Sequence, residues 1–277
     1  MSRLKCVLSD LDDTLVPEIE PERETLLITC GLATERYGTN AELMVATVGE
    51  ACAKLWGKWN RRDLYSSIAY SGWEGLWGPP DLPDDGLGND AETITRYKHD
   101  AWDAVLAQHG TEDIELRDSI IERHRTERTS RLRPYLGVEE LLMQVSVKYP
   151  LGLVTNGSPG VQRFKLERAG LSGFFSAVVT SGDVGFGKPD PKPFLSALES
   201  LGVDPDSAVM IGNSWRSDVQ GANNLGIASI WFNQQSLPSG EGSPPSIEVS
   251  SLRQIPEALV GTGFTVRSWT QTLVPTR

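Results

Sequence analysis

Carboxylates and one lysine are the residues whose types and spacing here can do chemistry. The acidic cluster Asp10-Leu11-Asp12-Asp13-Thr14-Leu15 follows an apolar run, and farther along come Thr155-Asn156-Gly157, then Gly187-Lys188-Pro189-Asp190-Pro191, then Gly212-Asn213-Ser214 with Asp218. A phosphate monoester is a dianion that resists attack, so a site for its hydrolysis must supply a nucleophile, cancel charge and protonate the leaving oxygen. Asp10 can attack phosphorus and form an aspartyl-phosphate that water then hydrolyses. Asp12, brought round by a turn, can act as general acid and then as base toward that water. Mg²⁺ prefers oxygen ligands and keeps some of its waters; Asp10, Asp12 through its main-chain carbonyl, and Asp218 can supply the protein share. Thr155 and the N–H groups that follow it, at Asn156 and Gly157, can donate to phosphoryl oxygens, and Lys188 can neutralise the charge spread over them. Taken singly, each group has a plainer reading: loop acids that cap a helix, an ordinary turn, a solvated lysine, an N-cap at Asp218. Their joint occurrence in this order decides against those readings.

Groups scattered over two hundred residues need a scaffold that gathers them. Residues 4–9 read as a short buried strand, and residues 151–155, 177–180, 208–211 and 228–232 as further strands. Helices are expected over residues 138–149, 160–169, 193–201 and 218–225. Strands alternating with helices describe right-handed βαβ units on a parallel sheet, whose ligands bind at the carboxyl ends of the strands. Every candidate group follows such an end. Residues 20–132 instead show helical periodicity, with helices from Pro21, over 41–59 and over 91–108, and a turn-rich loop from Gly78 to Gly86. The fold class is therefore α/β, a Rossmann-like parallel-sheet core over residues 1–18 and 133–235, with an α-helical insertion over 19–132. Residues 236–277 read as a C-terminal tail, flexible at first, with a helix docking near 251–259.

This ordered set of motifs resembles the haloacid dehalogenase-like (HAD) hydrolase superfamily, whose first motif is an apolar strand followed by D-x-D-x-[TV]. The TNG after the second strand and the GKPDP lysine loop match as well. The resemblance covers roughly residues 5–16 and 134–232. It implies that the helical insertion is a C1-type cap, and that an acid commonly stands where this sequence has Asn213. Asn keeps an oxygen for a metal or substrate but loses a charge, so weaker metal binding is expected. The namesake dehalogenases lack the second acid of the first motif. The presence of Asp12 therefore favours a phosphatase over 2-haloacid hydrolysis. A phosphomutase and a non-catalytic phospho-ligand scaffold are the remaining readings.

Composition narrows the partners. With 26 Lys plus Arg against 37 Asp plus Glu the net charge is −11, which repels polyanions and disfavours nucleic acid or an anionic membrane. A small phosphorylated metabolite is the expected ligand, and oligomeric state is left open. Cys6, Cys30 and Cys52 have neither disulfide nor zinc spacing and read as buried thiols. The apolar start is broken by Asp10, Asp12 and Asp13, so it is no signal peptide, and a cytoplasmic location is expected. His99, His109 and His124 fall in one helical stretch and read as packing or surface residues. Trp56, Trp59, Trp73, Trp77 and Trp102 read as packing of the helical insertion, or else as one or two rings stacked on a leaving group. Arg123, Arg125, Arg128, Arg131 and Arg133 read as a solvated face. Otherwise one of them clamps a second anionic group on the substrate.

Overall fold

The computed structural model describes residues 4–56, 58, 66–78 and 91–260. Six parallel strands lie in the order β3-β2-β1-β4-β5-β6. They are β1 (Cys6–Ser9), β2 (Leu151–Thr155), β3 (Ala177–Thr180), β4 (Ala208–Gly212), β5 (Ala228–Phe232) and β6 (Ile247–Val249). The expected α/β parallel sheet is thus observed. β1 sits centrally and is buried throughout, which is why it reads as an unbroken apolar run.

Alternation along the strands sorts their side chains onto two faces. Val7, Leu151, Leu153, Val209, Ile211 and Ile230 point to one core. There they meet Leu141, Leu142 and Val145 of α6 (Val138–Ser146) and Leu166 of α7 (Pro159–Arg168). Cys6, Leu8, Val154 and Met210 point to the other, against Phe194, Ala197 and Leu198 of α9 (Pro191–Leu201). A short α8 (Ser181–Val184) follows β3, and α10 (Gln220–Asn224) precedes β5.

Between β1 and α6 run α1 (Ile19–Tyr37), α2 (Ala41–Trp56), α3 (Gly72–Trp77), α4 (Ala91–Gln108) and α5 (Ile114–Ser130). They share a core of Leu26, Cys30, Met44, Val48, Tyr97 and Trp102. The packing reading holds for Trp77 and Trp102, both fully buried; Trp59 and residues 79–90 lie outside the described residues. All three cysteines are buried and free, and burial pushes the Cys6 thiol up to about 11.

Two expectations are corrected. The C-terminal segment, expected as a tail with a helix docked near 251–259, does carry that helix as α11 (Ile255–Val260), with Ile255 and Leu259 in the first core, but it also adds an unexpected sixth strand, β6, hydrogen-bonded beside β5. The sheet layer therefore runs past residue 235. Arg128, read as part of a solvated face, is fully buried and pairs with Glu18 at 2.7 Å and Glu22 at 3.1 Å; beside it His124, whose packing reading holds, is buried against Glu22 at 3.0 Å. Two glutamates from the start of the helical layer neutralise Arg128, while Arg123 pairs with Glu127, Arg125 with Glu122, and Arg131 with Glu24 and Glu127.

Candidate active site

The chain turns sharply at the end of β1. Leu15 N–H and Val16 N–H both donate to Leu11 O, and Asp13 adopts a left-handed φ of 54°. Asp13 Oδ1 then accepts the N–H of Glu18 at 2.8 Å and so starts α1. This turn leaves Asp10 at the strand end and swings Asp12 round beyond it.

Lys188 reaches Asp10 from the loop after β3. Its Nζ donates to Asp10 Oδ1 at 2.6 Å, to Asp218 Oδ1 at 2.7 Å and to Val154 O at 2.7 Å. Burial works against the ammonium, but Asp10 and Asp218 outweigh it and hold its pKa above the ordinary lysine value. Asp218 stands on an i→i+5 segment, Trp215–Val219, and its Oδ2 accepts the Ser214 N–H at 2.9 Å. A Cβ on Gly212 would lie 2.3 Å from this carboxylate, so only glycine lets it close on the end of β4. Burial pushes Asp218 up to about 6 in spite of Lys188. Thr14 Oγ1 contacts Asp10 Oδ2 at 3.1 Å and Asn213 Oδ1 at 3.3 Å, and accepts the Asn213 N–H at 3.0 Å. Asp10, Lys188 and the Asn213–Asp218 segment, from three separate parts of the chain, thus form one cluster.

Residues 4–226 match the family model described as haloacid dehalogenase-like hydrolase. The chain belongs to that family. It is 31% identical over 255 residues to phosphoserine phosphatase of Thermus thermophilus, covering 91% of this chain and 98% of the relative. The fold matches that of 2-haloacid dehalogenase from Pseudomonas syringae pv. tomato, with TM-score 0.60, 24% identity and 93% and 99% of the two chains covered. It also matches magnesium-bound YfnB of Bacillus subtilis, with TM-score 0.63, 20% identity and 94% and 100% covered.

The other expected site residues of this HAD hydrolase hold different positions. Asp12 turns its carboxylate to Lys165 Nζ, 3.1 Å from each oxygen, and to Gln162 Nε2 at 3.2 Å. Its side chain is thereby taken from the Asp10–Asp218 pair, and only its main chain remains for a metal. Burial first, then nearby acids, raise the Asp12 pKa well above the usual carboxylate range, with Lys165 opposing. Thr155 is buried with its hydroxyl on Gln162 Oε1 at 3.2 Å. Asn156 uses its amide on the lysine loop, accepting Lys188 N–H at 2.7 Å and donating to Lys188 O at 3.2 Å. Gly157, expected to offer its N–H to a ligand, donates instead to Ser181 Oγ at 2.8 Å and Ile68 O at 3.3 Å, because residues 66–70 dock over this loop.

The donor chemistry suits a hard divalent cation. Two carboxylates converge on one ammonium, leaving one uncompensated buried negative charge, and the Asn213 amide oxygen lies beside them through Thr14. Among the described residues no three Asp, Glu, His or Cys side chains form a metal-binding group. Mg²⁺ commonly takes only one or two carboxylates and completes its octahedron with water and substrate oxygens, so the set fits.

The residues missed by sequence reasoning are Gln162, Lys165, Glu18 and Glu74. Gln162 and Lys165 lie three apart on α7 and share a face, a signal present in the sequence. Glu74 carries none; it meets them only through the packing of α3.

Proposed function

We propose that the chain is a Mg²⁺-dependent phosphatase acting on a small phosphorylated metabolite, with residues 19–132 as a helical cap over the carboxyl ends of the strands. The observation that carries this reading is the pair of acids in one turn: Asp10 held by Lys188 and Thr14 at the strand end, and Asp12 half-buried beside it on Lys165. An Asp10 oxygen attacks phosphorus, the bond to the leaving oxygen breaks, and that oxygen takes the Asp12 proton. Burial, which raises the Asp12 pKa, favours the protonated form this step requires. Water then attacks the aspartyl-phosphate while Asp12 takes its proton, and Asp10 leaves. Asp10, Asp218 and the Asp12 carbonyl, with Asn213 adjoining, would hold Mg²⁺, which would supply charge neutralisation on phosphoryl oxygens. Lys188 orients Asp10 throughout and opposes the growing charge.

The second acid favours a phosphatase over a dehalogenase, since displacement of halide needs no leaving-group proton. The test is turnover of an aryl phosphate with Mg²⁺ and with a chelator, beside Asp10→Asn. Metal-dependent release of phosphate that the variant abolishes is expected. Activity retained in Asp10→Asn would overturn the mechanism, and halide release from a 2-haloacid would establish the dehalogenase reading instead. A screen of phosphorylated metabolites then identifies the substrate.

A further inference from the structure

Lys165 and Gln162 stand where the sheet layer, the entry to α1 and the helical layer meet. Lys165 Nζ lies 3.1 Å from the Asp12 oxygens, 3.2 Å from Glu74 Oε1 and 3.4 Å from Glu18 Oε1, and is buried. Gln162 Nε2 donates both to Asp12 Oδ2 at 3.2 Å and to Glu74 Oε1 at 2.5 Å, while its Oε1 accepts from Thr155. One amide and one ammonium therefore touch both Asp12 and a glutamate from α3. Glu74 is itself fixed by a reciprocal capping box with Ser71, which sets the first turn of α3. Two main-chain bonds dock the segment just before this helix: Gly187 N–H to Ser67 O at 2.6 Å, and Gly157 N–H to Ile68 O at 3.3 Å. Glu74 can reach Gln162 and Lys165 only when that segment is seated.

We infer that Glu74 is a positioning residue of the helical layer, which through Gln162 and Lys165 fixes the orientation of Asp12, so that the proton donor is assembled only when α3 is docked on the sheet layer. This rests on the phosphatase reading above. With Glu74 withdrawn, Gln162 Nε2 and Lys165 lose one acceptor each, and of the acids on the helical side only Glu18, 3.4 Å from Lys165, still bears on the pair that orients Asp12. The layer that covers the site thereby also completes it, which limits turnover to the closed arrangement.

Glu74→Gln tests this, because the amide oxygen keeps the capping box with Ser71 while the amide NH2 turns a donor toward Gln162 Nε2 and Lys165 Nζ, so their acceptor is lost together with the charge. The quantity to read is kcat/KM, which reports the steps up to departure of the leaving group. An alkyl phosphate needs a proton donor and p-nitrophenyl phosphate scarcely does. The variant is expected to lose about tenfold to a hundredfold on the alkyl ester and no more than about threefold on the aryl ester. No further loss is expected when it is combined with Asp12→Asn. Gln162→Met should show the same split, so the test does not hang on one variant. Equal losses on both esters, or full additivity with Asp12→Asn, would overturn the inference and make Glu74 a plain structural contact. If the wild-type protein hydrolyses no phosphate ester, the phosphatase reading fails, and amide hydrogen exchange judges the tie by itself. Faster exchange over residues 9–16 and 155–168 in Glu74→Gln would uphold the link to Asp12, and unchanged exchange would overturn it.

Discussion

Replacing Lys188 by methionine isolates the electrostatics of the site, because methionine nearly preserves the volume and removes three donors. The ammonium contacts Asp10 at 2.6 Å, Asp218 at 2.7 Å and Val154 O at 2.7 Å, and the residue is 5% exposed. Removing one partner of a buried ion pair costs about 3–5 kcal/mol when the charge left behind stays ionised. Here protonation offers relief: Asp218 already titrates at about 6, and without Lys188, which lowers it, its pKa must climb further. A carboxyl raised in the folded state above its unfolded value of 3.8 penalises folding in full above the folded pKa, and the penalty vanishes as pH falls toward the unfolded one. In metal-free buffer the variant should thus lose about 3 kcal/mol near pH 7.5 and about 1 kcal/mol or less near pH 5. At about 2–4 °C per kcal/mol the neutral loss is a fall of roughly 6–12 °C in Tm. Urea unfolding of both proteins at the two pH values measures this, and kcat should fall by about a hundredfold or more. A loss equal at both pH values, or below about 1 kcal/mol at neutral pH, would refute the account of Lys188 as the counter-charge of these carboxylates.

Three other outcomes follow from the same distances. Because a metal competes with the Asp218 proton, Mg²⁺ affinity measured calorimetrically should be level above about pH 6 and fall about tenfold per pH unit below it; a level profile from pH 5 to 8 would remove Asp218 from the ligand set. Asn213→Asp should tighten Mg²⁺ binding by about tenfold, since a charge joins two others across a short gap, and unchanged affinity in the same titration would place Asn213 outside the metal's reach. Arg128→Met should lose about 3–5 kcal/mol in urea at neutral pH by stranding Glu18 and Glu22. Although burial pushes Glu18 up, Lys165 and Arg128 prevail and lower its pKa, so their stabilisation is complete above the unfolded value of 4.5 and is lost below it. The gap between wild type and Arg128→Met should therefore narrow near pH 4.

Elements with a local signal were legible in the sequence. Residues 151–155, 177–180 and 228–232 read as strands and are strands, because short apolar runs between turn residues suit a sheet buried on both faces. β6 was not legible: Ile247-Glu248-Val249 is three residues long, follows a Pro- and Gly-rich stretch, and becomes a strand only because β5 offers it an edge. The cluster of Asp10, Lys188 and Asp218 was legible as a set of strand-end groups, since the parallel topology alone brings such ends together. The burial of Arg128 was not, because its charges are cancelled by Glu18 and Glu22 from about a hundred residues away. The same holds for Lys165, which reads as one more lysine on a helix until Asp12, Glu18 and Glu74 converge on it.

The net charge of −11 takes on a specific meaning once the buried charges are placed. Lys188 faces Asp10 and Asp218; Lys165 faces Asp12, Glu18 and Glu74; Arg128 faces Glu18 and Glu22. In this group three cations thus meet six carboxylates, and none of the three is left over to clamp an anion. A phosphate dianion brought among them adds to an existing negative excess, so binding must be coupled to something that removes negative charge. Protonation of Asp12 removes one, in the direction that burial already drives it. A divalent cation beside Asp10 and Asp218 removes two more. Substrate affinity should therefore collapse without metal even where the fold is intact, and extra surface lysines should not restore it. The field that matters is set within a few ångströms of Asp10, where low dielectric leaves it unscreened.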